Sequence, residues 1–234
     1  MRQTQRALML FAAGFGTRMG ALVANCPKPL LMLAGKPLID HALDLAALAG
    51  VTKTVVNVHY LGDQIAGHLA SRPGITVLWE RDQILETGGG LRAALPHLGL
   101  DPVFTLNPDA VWRGVNPLLL LENAWKDADM DALLLLLPVG RVQGRAGAAD
   151  FLLAPDGRLS RAGAVGQHLY LGAQIIRTDR FADIPGTAFS LNLIWDRMIA
   201  DGRAYGLVYP GAWCDVGTPQ GLADAQTLLA RDHV

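Results

Sequence analysis

Apolar residues in the first half of the chain fall in short blocks that switch between two periodicities. Residues 7–13 (ALMLFAA) are an unbroken apolar run that stops at glycine, the pattern of a buried strand. Residues 37–50 (PLIDHALDLAALAG) change to helical spacing and also end on glycine. The alternation continues with strands over 54–58 (TVVNV), 75–80 (ITVLWE) and 102–107 (PVFTLN). Helices are predicted over 61–70, over 88–98 opening on three glycines, and over 117–128. Residues 131–139 (DALLLLLPV) complete the set as a fifth strand, too short to span a bilayer. Strand and helix alternating through the first 139 residues predict an α/β fold, a mostly parallel sheet with helices on both faces.

The rhythm then breaks. Residues 140–179 are glycine-rich, with short strand segments and turns such as APDG. They are expected to form a small antiparallel insertion over one end of the sheet. Residues 190–202 read as an amphipathic helix, 204–219 as short strands around a turn, and 219–232 as a closing helix. No repeat, low-complexity tract or linker interrupts the 234 residues, so one domain is expected. Within it, 1–139 would be the α/β core, 140–218 a second part and 219–234 a closing helix.

Composition narrows the class. A chain 51% hydrophobic and 18% charged supports a sizeable core. Its formal net charge of −1 gives no reason to expect nucleic acid or an anionic membrane as partner. Two cysteines, Cys26 and Cys214, exclude a disulfide framework and a cysteine-built zinc site, and suit the cytoplasm. The apolar run near the N-terminus leads into a glycine turn, unlike a signal peptide. Only four lysines occur (Lys28, Lys36, Lys53, Lys126) against sixteen arginines, so a lysine inside a motif carries information. No interface stripe stands out, and the oligomeric state stays open.

Three features fall at predicted strand ends, where open α/β sheets bind ligands. The first is Gly14-Phe15-Gly16-Thr17-Arg18, which offers free amides to phosphate oxygens and adds a guanidinium fork. Alone, it also reads as a tight turn beside a surface arginine. The second is Lys28 between Pro27 and Pro29, a mobile cation on a stiffened backbone or else a solvated lysine in a turn. The third is Asp109 in LNPDAVW, with a distant counterpart, Asp215, in AWCDVGTP. Two carboxylates at strand ends suit one Mg²⁺ on a nucleotide, and each also suits a turn or a helix cap. The first turn matches neither a Walker A loop nor the full Gly-x-Gly-x-x-Gly pattern. There is no nucleophile elbow, His-Glu-x-x-His or Cys-x-x-Cys.

In order along the chain, LFAAGFGTRMG, CPKPLLMLAGKPLI, NPDAVW and WCDVGTP resemble the signatures of the sugar-1-phosphate nucleotidyltransferases. The ETGGG stretch and the Asn two before Asp109 are similar to the short bacterial N-acetylmuramate 1-phosphate uridylyltransferase group. The resemblance implies the Rossmann-like nucleotide-diphospho-sugar transferase fold and a Mg²⁺-dependent reaction. A sugar 1-phosphate would attack the α-phosphorus of a nucleoside triphosphate, UTP in that short bacterial group, and release pyrophosphate. It implies Arg18 on the leaving phosphates and Lys28 on the reacting ones, with Asp109 and Asp215 on the metal. The backbone at Ala12, Ala13 and Gly14, together with Gly88 and Gly89, would hold base and ribose. Gly16 and Thr17 would complete the nucleotide site, and Asn107 and Asp150 would meet the sugar.

The chain departs from the family pattern at two points. Pro108 stands where glycine is usual, removing an amide beside the metal Asp, and no lysine follows Lys126 to take the family's later phosphate-binding role. Arg141 or Arg145 is the expected replacement. Three alternatives remain open at this level: a mannose or glucose 1-phosphate transferase using GTP or UTP, a cytidylyltransferase for a choline-type phosphate, and a catalytically silent nucleotide-sugar sensor.

Overall fold

The computed structural model describes residues 6–99, 101–142, 148–163 and 166–230. Strand β1 (Leu8–Phe11) pairs in parallel with β4 (Thr54–Val58) on one side and β6 (Val103–Leu106) on the other. Beyond β4 lies β5 (Ile75–Trp79), also parallel. The chain therefore winds outward from β1 through helices α1 (Leu38–Leu48) and α2 (Gly62–Leu69), then returns through α3 (Glu86–Leu98) to start again at β6. That reversal at β1 creates a crevice at the carboxyl ends of the strands.

Alternate residues of each strand face opposite layers. Leu8 and Leu10 pack with Ile39 and Leu43 of α1, Ile65 of α2 and Leu118 of α4 (Pro117–Ala124). Ala7 and Met9 pack on the other face with Leu91 and Ala94 of α3 and Ile194 of α5 (Asn192–Ala200). Burial on both faces is why these strands read as continuous apolar runs.

The glycine-rich stretch contributes to the main sheet more than to a flap. Strand β11 (His168–Ile176) runs antiparallel between β6 and β8 (Ala132–Pro138), and β12 (Ala204–Val208) adds in parallel to β8. The hairpin β9 (Phe151–Leu153) and β10 (Leu159–Arg161) continues the sheet from β11, making nine strands. Its turn is the APDG predicted from sequence.

Two small ribbons finish the fold. Strands β2 (Met32–Leu33) and β3 (Lys36–Pro37) form a hairpin. Strand β7 (Ala110–Arg113), which has no counterpart among the sequence-based strands, pairs antiparallel with β13 (Ala212–Asp215). A third core joins Met19, Val23 and Leu33 to Val111, Cys214 and Leu228, the last from helix α6 (Pro219–Ala230). Among the described residues, no helix is long and apolar enough to cross a membrane.

Candidate active site

The β7–β13 ribbon brings the two distant aspartates together. Asp215 pairs across it with Ala110, and the Val216 amide donates to the Asp109 carbonyl at 2.8 Å. Asp109 and Asp215 line one cavity of about 440 Å³ with Asn107, Arg18, Tyr170 and Trp213. Asp109 also lines two further cavities of about 210 Å³ each. One is walled by Gly14, Gly16, Thr17, Arg18 and Lys28. The other is walled by Phe11, Ala13, Ile84, Glu86 and Thr87. A single carboxylate therefore stands where three compartments meet.

Local sequence explains the placement. Gly16 takes φ +65°, a left-handed conformation that favours glycine, and turns the chain into the 3-10 segment that carries Arg18. Lys28 opens a second 3-10 turn after Pro27, and its Nζ lies 2.5 Å from Asp109 Oδ2. The lysine side chain is only 9% exposed, so it is a buried counter-ion and not a solvated surface charge. Gly217 keeps space between Arg18 and Asp215, since a Cβ there would lie 2.9 Å from the guanidinium and 2.5 Å from the carboxylate.

The large cavity owes its wall to an irregularity in β11. Its register with β8 shifts between Tyr170 and Gln174, and Gly172 within the shift takes φ +84°. The bulge lets the Asn107 amide donate to the Gly172 carbonyl at 2.8 Å while Tyr170 and Leu171 face the cavity. Burial pushes the Tyr170 hydroxyl well above its ordinary pKa, so it stays protonated. Asp150 accepts the Tyr170 amide at 2.9 Å. It braces this wall from outside and does not line the cavity.

Three of the backbone amides expected at the nucleotide are already engaged within the protein, although Ala12 itself lines the cavity walled by the glycine turn. The Ala12 amide donates to Asn57 Oδ1 at 2.8 Å and is not offered to a ligand. The amides of Gly88 and Gly89 both donate to the Phe189 carbonyl, at 2.8 and 3.0 Å. A Cβ on Gly88 would strike the Phe189 ring, and one on Gly89 would strike the Thr187 carbonyl. These glycines pack α3 against residues 187–189, and neither lines the three cavities. Arg141 reaches the Pro210 and Gly211 carbonyls, lining a separate hollow with Arg113. Arg145 lies outside the described residues.

Sequence reasoning overlooked Asn57, Glu80, Glu86 and Tyr170. A signal existed for the first: an Asn inside an otherwise β-branched buried strand needs polar partners.

The donor set suits a hard divalent cation. Mg²⁺ takes one or two carboxylates and completes its shell with phosphate and water oxygens, and two carboxylates share this cavity. Among the described residues, no cluster of three or more His, Cys, Asp or Glu would enclose a metal by protein alone. Burial raises the Cys26 thiol and pushes that of Cys214 up to about 12, which favours the protonated form of both.

Residues 8–143 match the model of the MobA-like NTP transferase domain. The chain belongs to that family. This transferase is 40% identical over 240 residues to N-acetylmuramate alpha-1-phosphate uridylyltransferase of Caulobacter vibrioides, covering 98% of this chain and 99% of the relative. It is 34% identical to the Neisseria meningitidis protein of the same name, over 94% and 96% of the two chains. The fold matches HddC from Yersinia pseudotuberculosis with a TM-score of 0.78, over 96% of this transferase and 99% of HddC, at 19% identity.

Proposed function

We propose that this transferase moves a uridylyl group from UTP to N-acetylmuramate 1-phosphate, releasing pyrophosphate. The observation that carries the reading is Asp109 at the junction of three cavities, with Lys28 and Arg18 beside it. The choice of base and sugar is supported by the near-full-length likeness to the Caulobacter and Neisseria enzymes.

The cavity between Ala13 and Thr87 receives the base, the glycine turn receives the triphosphate, and the cavity under Tyr170 and Trp213 receives the sugar. A phosphate oxygen of the sugar 1-phosphate bonds to the α-phosphorus of UTP as the bond to pyrophosphate breaks. The attacking phosphate is ionised at neutral pH, so no general base is needed. The protein's task is alignment and charge neutralisation. Arg18, which lines both the triphosphate and sugar cavities, holds the departing phosphates in line. Lys28 neutralises charge on the reacting phosphates. Asn107 orients the sugar from the rim of β6. Asp109 and Asp215 would hold Mg²⁺, which supplies Lewis-acid polarisation of the phosphate when bound. A cytoplasmic location is supported by the triphosphate substrate and by two free cysteines.

Pyrophosphate release with Mg²⁺, measured across five nucleoside triphosphates and a panel of sugar 1-phosphates, tests the proposal. Release with UTP and N-acetylmuramate 1-phosphate alone is expected. Release with mannose 1-phosphate and GTP alone would replace the substrates, and nucleotide binding without any release would make the protein a sensor.

A further inference from the structure

Asn57 and Glu80 are each only 3% exposed, yet neither belongs to the groups that neutralise phosphate. Asn57 Oδ1 accepts the Ala12 amide at 2.8 Å, and Asn57 Nδ2 donates to Glu80 Oε1 at 2.7 Å. Glu80 Oε2 accepts the Leu85 amide at 2.8 Å. The Leu85 carbonyl is in turn held by the Phe189 amide at 3.1 Å. Gly90 of α3 makes room for the pair, because a Cβ there would lie 2.9 Å from both Asn57 Nδ2 and Glu80 Oε1.

A buried carboxylate held by neutral donors is a costly way to fill a core that valines fill elsewhere in β4. Glu80 bonds directly to the loop after β5, through the Leu85 amide, and through Asn57 of β4 it reaches the loop after β1. Both loops line one slot, the first through Ala13 and Gly14, the second through Ile84, Glu86 and Thr87, and Asn57 lines it with them. Glu86, directly after Leu85, sits at φ +58°, a strained conformation for a non-glycine residue that persists only where its surroundings fix it.

We propose that Asn57 and Glu80 are positioning residues for the nucleotide: their buried pair ties the β1 turn to the 81–87 wall and sets the width of the base slot. The inference rests on the functional reading above for the identity of the slot. It makes the pair a determinant of base selectivity that touches no reacting atom.

Glu80→Gln is the test, because glutamine keeps the shape but offers one acceptor where the bridge needs two. The variant is expected to raise the KM for UTP about tenfold, the effect of one buried hydrogen bond left unmade. It should narrow the preference for UTP over CTP and GTP, and leave the KM for the sugar 1-phosphate within about twofold. Asn57→Asp combined with Glu80→Gln restores every bond with the charge moved to position 57: the aspartate accepts from Ala12 and from the glutamine Nε2, whose Oε1 accepts from Leu85. The double variant should recover the wild-type UTP KM and selectivity.

A sugar KM that rises in step with that of UTP overturns the proposal. So does a double variant that stays impaired or fails to fold. If Glu80→Gln alone does not fold, the double variant decides by the same readouts. UTP dissociation constants from calorimetry are measured alongside. A wild-type protein that binds UTP but transfers nothing refutes the functional reading, while the tenfold loss and its rescue remain readable in binding.

Discussion

At Asp109 one carboxylate oxygen is held 2.5 Å from the Lys28 ammonium, so each group neutralises the other before any phosphate arrives. On the proposed mechanism both charges serve the reaction, and their removal should separate from folding. Asp109→Asn keeps an acceptor for Lys28 and almost the same volume. We expect kcat for pyrophosphate release to fall at least about a hundredfold, the scale of losing one preorganised electrostatic group, with the melting temperature within a few degrees of wild type. Lys28→Met is expected to cost activity on the same scale, with a stability loss of about 1 kcal/mol in denaturant titration, because Asp109 is 29% exposed and water can replace the ammonium. Full turnover in either variant would remove that residue from the mechanism. These two residues were legible in sequence because their types and positions already fit phosphate chemistry. Their mutual contact was not, since 81 positions separate them along the chain.

At the scale of elements, function depends on breaks in regular structure. The β11 bulge presents Tyr170, Leu171 and Gly172 to the cavity proposed for the sugar, and Gly172 combines φ +84° with a Cβ position 2.8 Å from Asn107 Nδ2. Gly172→Ala must shift Asn107 or flatten the bulge. The expected result is a loss of about 1–3 kcal/mol in unfolding free energy and a higher KM for the sugar 1-phosphate than for UTP. Equal changes in the two KM values would count against a sugar role for this wall. Periodicity located the four α-helices and five of the eight strands of the first 139 residues, missing the two-residue β2 and β3, because burial on both faces leaves a strong apolar signature only in the longer strands. It overlooked β7, whose four residues AVWR mix two buried positions with two half-exposed ones. It also took β11 for part of a flap, since glycines and polar residues in that stretch mask a strand whose partners lie far away.

Across the whole molecule, a buried ion-pair cluster lies at the end of the sheet opposite the candidate site. Asp131, with a side chain 5% exposed, lies at the start of β8. It accepts from Arg203 at 2.7 Å, and Arg180 stands 3.0 Å from its other oxygen as an ion pair without hydrogen-bond alignment. Asp131→Asn leaves these arginines facing a neutral amide and is expected to lower stability by about 2–4 kcal/mol in denaturant titration, with the KM for UTP unchanged. Acid should destabilise the molecule by a separate route. Burial holds His41 and His168 below the ordinary imidazole range; at His41 the bond to the Leu33 carbonyl and the charges of Asp44 and Asp40 only partly oppose it. The unfolded chain takes up these protons below about pH 6.5 while the folded chain resists them. Stability therefore falls as pH drops from 6.5 until the folded histidines also protonate. Melting curves from pH 8 to 5.5 check this, and a combined His41→Gln and His168→Gln variant should flatten the slope.

The sequence by itself determined the α/β alternation, the glycine turn with its arginine, the proline-flanked lysine and the order of four signatures, because each is encoded locally by periodicity, backbone freedom or residue chemistry. Tertiary structure alone decided that Asp109 and Asp215 meet across a ribbon and that the amides of Ala12, Gly88 and Gly89 serve the fold. It also decided that Asn57 and Glu80 form a buried pair bonded to the loops after β1 and β5. Those facts depend on which distant segments approach each other and which polar groups they leave to be satisfied, and long-range pairing writes no period into the chain.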